Sequence, residues 1–455
     1  SSQARANAAS AGRSGGGGMS AGVKGLLVVF VILALGAGLL VWKIRAGAGH
    51  GGSGSSAAIT KLTNDDIALL LKDENPMALK QLSENPETKK KVVESLKQTL
   101  AMAAQARKDG LANTPEVKEE LENIRTEIVA ASYDKKKNAD KGPMPPFGFI
   151  GEDQVKAYYT DAKNETNFKT FIDKKIAQAK EDGRLPKDRE PTEEQLNSAR
   201  DFYAKVRIYE KEASEKKGEL GDEYNRKVDL QVRLQQSQFL AKLYTDKVLK
   251  DKLKVTDEDV QNYLKQHPEL DKRSETKAKA QQILERAKNG EDFAALAKEF
   301  SEDPGSKDKG GLYENVRKGQ FVPEFEAAAI AAEPGQVVPE LVETKYGYHI
   351  IKLEKKGAAK DAGGQETPTF DARHILVSTM ITDPENPTSA PMSVEDKVRA
   401  QLEEEREKKI MDELLAKNNI EIPEDFAVPE PSAEQLEEMK KQQEMQQQMM
   451  MEQLQ

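Results

Sequence analysis

Few residues in this 455-residue chain could carry covalent chemistry. Cysteine is absent, which removes both a thiol nucleophile and any disulfide framework. The four histidines are His50, His267, His349 and His374, and none has a partner at the spacing of a zinc ligand set. His267 falls where Pro268 closes a helical stretch, a surface position. His349 and His374 each sit in an apolar, strand-like stretch, YGYHIIKLEKKG at 346–357 and TFDARHILVSTM at 369–380. Taken singly, each reads as a satisfied strand histidine. Asp303 in SEDPGS reads singly as a turn acid, and Phe321 and Phe325 as core residues four apart on one helical face. The stretch around His374 poses a question of its own, because a domain that looks complete has already ended before it.

The elements that must position these residues follow from composition and pattern. The chain is 32% charged, 37% hydrophobic and only 5% aromatic, which fits a helical, heavily solvated protein with cores of Leu, Ile, Val and Ala. With a net charge of −9 and no long basic block, nucleic acid is not an expected partner. GLLVVFVILALGAGLLVW at 25–42 carries no charge; as a helix it would span about 27 Å, close to a bilayer's hydrocarbon thickness. Trp42, Lys43 and Arg45 flank it, so an uncleaved anchor over 25–43 is expected, with a cleaved signal peptide ending near AGA (46–48) as the alternative. Residues 1–24 read as a disordered tail and 44–58 as a flexible Gly/Ser tether.

A helical region is expected over 59–270. In PETKKKVVESLKQTLAMAAQARKDG, Val92, Val93, Leu96, Leu100 and Ala103 recur at helical spacing, with Gly110 as a stop. Thr114-Pro115 starts a second helix, and others are expected near 152–182, 193–217 and 221–250. Thr256 opens a short helix that Pro268 ends.

Residues 274–355 change character to an α+β pattern. Helices stop at Gly290 and restart with Phe293, Leu296 and Phe300 inward; SEDPGSKDKGG (301–311) is a loop; GQFVPEFEAAAIAA (319–332) leads into an apolar helix; VPELVETKYGYHIIKLE (338–354) reads as two short strands around a turn. The pattern is short of one central strand. FAALAKEFSEDPGSKDKGG, KGQFVPEFEAA, EPGQVV and VETKYGYHIIKLE, in that order, closely resemble the parvulin-type peptidyl-prolyl isomerase domain, and ARHILV (372–377) resembles that family's first strand. The whole arrangement resembles the SurA/PrsA/PpiD group of extracytoplasmic foldases.

The resemblance implies a mostly α chaperone region plus an α+β domain with a four-stranded antiparallel sheet and surrounding helices, over 271–380. In the family the ARHIL strand begins the domain and pairs with the YGYHII strand. Here it comes last, so the resemblance implies a circularly permuted domain with GAAKDAGGQETP (357–368) as a flexible link. It also implies a site: Phe321 and Phe325 as an apolar floor, Leu376 and Tyr346 at its edge, and His349 and His374 paired at the sheet centre. Asp303 falls where family members have Cys or Asp, and Thr344 where a hydroxyl joins the histidine network. One departure stands out: GGLYENV (310–316) replaces the family's GGDLGxF, putting Tyr313 where a pocket Leu is common.

The chemistry implied is prolyl rotation, which needs no nucleophile, metal or cofactor. It needs an apolar grip and an environment fitted to the twisted amide. No basic pair follows ARHILV, so phosphate-directed recognition is not expected. Residues 381–425 hold a charged helix, expected to return onto the helical region, and 426–455 a Met/Gln-rich tail. The expected function is a membrane-anchored isomerase and chaperone at the bacterial cytoplasmic membrane, with the bulk of the chain extracytoplasmic. Its partners would be unfolded or newly exported Xaa-Pro polypeptides and the secretion translocon. The alternatives are a client-binding chaperone with an inactive parvulin domain, and a membrane-tethered helical scaffold.

Overall fold

Caps written into the sequence set most helix starts. The computed structural model describes residues 57–72, 74, 76–142, 144–360, 366–382, 390–430 and 437. The expected tail, anchor and most of the tether (1–24, 25–43, 44–58) lie outside the described residues, as does the Met/Gln-rich tail beyond 430 except Glu437. Among the described residues, no helix is long and apolar enough to cross a membrane. The described residues form two compact units, one of those up to Leu253 together with those from Arg406, the other of those between Lys254 and Glu405.

The first unit is helical: α1 (Asn64–Leu71), α2 (Pro76–Glu84), α3 (Pro86–Lys108), α4 (Pro115–Lys137), α5 (Glu152–Tyr158), α6 (Ala162–Glu181), α7 (Glu193–Glu215) and α8 (Asp222–Tyr244). Thr63 and Thr192 close capping boxes with Asp66 and Gln195, and Thr114 accepts from the Val117 N–H with Pro115 at the first helical position. The apolar stripe of α3 does what its spacing predicts: Val92, Val93, Leu96 and Leu100 pack with Leu230 and Leu234 of α8. The single helix expected near 152–182 is two, because Asp161 turns its carboxylate onto the Lys163 N–H and caps α6. This unit's core also reaches past the expected boundary at 425, since Phe426 is buried in it with Val428 packed alongside.

The second unit contains α9 (Asp257–Gln266), α10 (Arg273–Lys288), α11 (Phe293–Phe300), β1 (Leu312–Arg317), α12 (Pro323–Ala331), β2 (Val342–Thr344), β3 (Gly347–Lys360) and β4 (Glu366–Ser378). Helix α9, grouped by sequence with the region before it, belongs here: Val260 and Leu264 pack with Val394 and Val398 of α13 (Val394–Asn418). Further along α13, Met411 and Leu414 enter the first unit's core with Leu240 and Tyr244.

The sheet runs β1-β4-β3-β2, antiparallel throughout. The strand that comes last in the domain is therefore central, between β1 and β3. The side-chain alternation of a strand then builds two cores. Tyr348, Ile350, Ile375 and Val377 face α10 and α11, while Ile351, Leu353, Phe370 and Ala372 face α12. His349 pairs with Leu376 and Ile351 with His374, so the two histidines are diagonal neighbours on the α12 face.

The link at 357–368 is not the flexible connection its Gly, Ala and Asp content suggests. Gly357 pairs with Thr369, Ala358 with Pro368, Ala359 with Thr367 and Lys360 with Glu366, leaving only 361–365 outside the described residues. Adjacent antiparallel strands can be joined by a hairpin, and ladder hydrogen bonds carry on into residues of poor strand propensity.

Candidate active site

Polar groups from four elements meet in one chain on the α12 face. Thr344 Oγ1 lies 2.8 Å from His349 Nε2, His349 Nδ1 lies 3.2 Å from His374 Nδ1, and His374 Nε2 lies 2.9 Å from Asp303 Oδ2. Both rings are buried, 5% and 3% exposed, so each nitrogen needs its partner. Burial pushes the Asp303 carboxyl up, but hydrogen bonds from His374 and Ser306, the charge interaction with His374, and the Tyr313 hydroxyl outweigh it and hold the acid well below the usual carboxylate range. An ionised Asp303 requires a proton on His374 Nε2. In the neutral pair His374 Nδ1 then accepts from His349 Nδ1–H, and His349 Nε2 accepts from the Thr344 hydroxyl. His349 is well suited to staying neutral. Burial first, and then the charge of His374, lower its pKa to about 3 against the opposing pull of Asp303.

Aromatic rings cover this chain. Phe325 is 1% exposed and stands edge-on to both imidazoles, at 5.4 Å from His349 and 5.3 Å from His374. Phe321 stacks on Phe325 at 4.9 Å, Tyr313 meets Phe321 edge-to-face at 4.9 Å, and the Tyr313 ring lies tilted at 5.6 Å from His374. The result is a half-buried apolar surface on a fixed polar floor. Phe321 is not on a helical face with Phe325, as its spacing suggested, because Pro323 occupies the first helical position and Phe321 lies before it.

The structure thus brings together Phe321, Phe325, His349, His374, Asp303, Thr344 and Tyr313. Leu376 is next to them on β4, paired with His349; its N–H donates to Ser301 Oγ and its carbonyl accepts from the Glu302 N–H. Tyr346 stands apart: 41% exposed, with its ring near Lys345 Nζ, it reaches the network only through its backbone N–H to Thr344 Oγ1.

Sequence reasoning missed the supports. Ser306 donates to Asp303 Oδ2 and Ser301 Oγ accepts the Asp303 N–H, both serines being fully buried. Gly311, at φ 80°, lets its carbonyl accept the His374 N–H at 2.9 Å; a Cβ there would sit 2.3 Å from the His374 oxygen. Glu326, the one acid buried among the alanines of α12, accepts the N–H groups of Gly319 and Phe321 at 2.8 and 2.9 Å and so fixes the turn that presents Phe321. A buried carboxylate in an apolar helix is a signal of such a role. Glu326→Ala is expected to cost about 1–3 kcal/mol in urea unfolding, because it orphans two turn N–H groups.

The sheet order, the paired histidines and the aromatic cover are consistent with the α+β parvulin-type domain that the sequence resembles. Comparison with known proteins agrees: residues 262–355 match the family model for the Rotamase, PPIC-type PPIASE domain. That match stops short of β4, the strand carrying His374. The foldase protein PrsA 4 of Bacillus cereus is 36% identical over 180 residues, 38% of this chain and 62% of that protein. PrsA 3 of the same organism is 49% identical over 113 residues, 24% of this chain and 38% of that one. The chaperone SurA of Pseudomonas syringae is 42% identical over 94 residues, 21% and 22% of the two chains. The chain thus spans less than two thirds of the length of these relatives. Residues 262–355 thus resemble the PPIC-type domain of the PrsA and SurA foldases, and β4 follows that stretch in the chain.

Proposed function

We propose that this chain is a peptidyl-prolyl cis-trans isomerase and chaperone that assists the folding of exported polypeptides. The observation that carries the reading is the stacked Phe321–Phe325 pair set over the His349–His374 floor. The planar amide is charge-separated by resonance, and rotation about its bond faces a barrier of about 18–20 kcal/mol. A twisted amide loses that resonance and much of its hydration. An apolar surface that grips the proline ring and strips water from the amide therefore disfavours both planar states relative to the twisted one. No bond is made or broken. The role of the Thr344–His349–His374–Asp303 chain is to keep the floor rigid.

The clients are unfolded polypeptides with Xaa-Pro bonds, a class consistent with the foldase and chaperone names of the relatives. The first unit is the holding surface. The uncharged run at 25–42 is the support for a single-pass membrane anchor, with the folded units on the extracytoplasmic side and the translocon as neighbour. Refolding of a denatured client whose slow phase is set by a proline bond tests this reading. Residues 57–430 are expected to shorten that phase several-fold and to suppress aggregation at equimolar ratio. Suppression with an unchanged slow phase would leave only the chaperone without turnover.

A further inference from the structure

The GGLYENV departure puts a phenol where an aliphatic side chain would suffice to line the pocket. We propose that Tyr313 is a positioning residue: its hydroxyl fixes the Asp303 carboxylate that orients His374, and Gly305 is the space that admits it. The proposal rests on the isomerase reading for its effect on turnover, but its geometry does not depend on that reading.

Three donors converge on Asp303 Oδ2: the Tyr313 hydroxyl at 3.0 Å, the Ser306 hydroxyl, and His374 Nε2 at 2.9 Å. Oδ1 takes only the long Gly305 N–H bond at 3.4 Å. The carboxylate's rotation is thus set by what holds Oδ2, and Tyr313 approaches it from β1 while His374 approaches from β4. The same ring packs against Phe321 and His374, so one side chain ties the polar chain to the apolar cover. An aliphatic residue could do only the second. Burial first, then the charge of Asp303, raise the Tyr313 pKa to about 12, so the phenol keeps its donor proton at working pH.

Gly305 supplies an independent observation. A Cβ at 305 would lie 2.2 Å from the Tyr313 hydroxyl oxygen but 3.4 Å from Cζ and 3.6 Å from Asp303 Oδ1. Its backbone is not in the left-handed region. Of the three atoms nearest that Cβ, only the phenol oxygen lies inside van der Waals contact. A tyrosine that merely filled space would predict no such link between positions 305 and 313.

The test is a double-mutant cycle in residues 57–430: Tyr313→Phe, Gly305→Ala and both together, read by kcat/KM on an Ala-Pro peptide and by the NMR signal of the His374 Nε2 proton. Tyr313→Phe is expected to lower kcat/KM about tenfold, as loss of a hydrogen bond to a charged group does, and to move the His374 signal. Gly305→Ala alone is expected to cost at least as much, but to add less than twofold in the Tyr313→Phe background. If Gly305→Ala alone does not fold, recovery of folding in the double variant is the same result. Independent, multiplying effects, or an unmoved His374 signal in Tyr313→Phe, would overturn the proposal. Were the unaltered chain inactive, the isomerase reading would fail by itself, and the cycle would still be decided by the His374 signal and the unfolding midpoints.

Discussion

A fragment of residues 254–360 is expected to show no cooperative unfolding transition, whereas 254–405 shows one. The shorter fragment lacks β4, and also Val394 and Val398 of α13, which pack on α9; β4 is the larger loss. It is the strand between β1 and β3, so without it β1 has no sheet neighbour and β3 becomes an edge. Ile350, Ile351 and Leu353, all fully buried, would then flank an unpaired backbone, an aggregation hazard. The fragment also forgoes Phe370, Ile375 and Val377, each buried and worth about 1.5–3 kcal/mol. Their sum, about 5–9 kcal/mol, is comparable to the whole stability of a typical domain. Circular dichroism through a urea titration checks both fragments. A sigmoidal transition in 254–360 would show that the unit does not depend on its last strand.

The second large effect is acid destabilisation of the same unit through His349. In the folded chain this histidine's pKa is lowered to about 3, against 6.5 for the ordinary group. Between those values the unfolded chain binds a proton that the folded chain refuses, so stability is full above pH 6.5 and falls as pH drops toward 3. The gap, 6.5 − 3 = 3.5 units, sets a ceiling of about 5 kcal/mol, and about 2–3 kcal/mol is expected to be lost by pH 4.5. Asp303 acts with its own window: its carboxyl is held below the ordinary 3.8, so its contribution is present above that pH and is lost only below it. Glu291 and Asp271 are lowered too, by hydrogen bonds from Arg286 and Arg273, and their contributions fall away only near and below the ordinary carboxylate range, so the slope between pH 6.5 and 5 is assigned to His349. Urea unfolding at pH 7.5 and 5 measures it, and His349→Asn is expected to flatten it. Equal stability at the two pH values would mean the imidazole charges without cost and is not desolvated as the structure has it.

What could be read from sequence, and what could not, follows the reach of the forces involved. Local rules were enough for the helix starts at Thr114-Pro115 and Thr256, where a side chain a few residues away satisfies the first N–H groups. Alternating apolar residues were enough for the His349 and His374 strands. Three things needed tertiary context. The ladder at 357–360 and 366–369 is imposed by the neighbouring strand on residues with little strand propensity. Phe321 left the helical face because of one proline, although its contact with Phe325 survived through the Glu326-held turn. The outward ring of Tyr346 is set at a turn whose side-chain direction no spacing encodes. The site residues themselves came from resemblance to a family and not from periodicity, which would have left each histidine as plain sheet core.

The most direct measurement is cis–trans exchange of an Ala-Pro tetrapeptide, followed by NMR in the presence of residues 57–430. Uncatalysed exchange takes about tens to hundreds of seconds. The account expects the chain to bring it into the range of seconds or faster, with no preference for a phosphoserine-proline peptide. Phe321→Ala is expected to remove at least tenfold of the acceleration, through loss of the surface that grips the ring. Exchange at the rate of buffer alone, with the second unit folded by circular dichroism, would contradict the account; so would full acceleration by Phe321→Ala, which would put the site elsewhere.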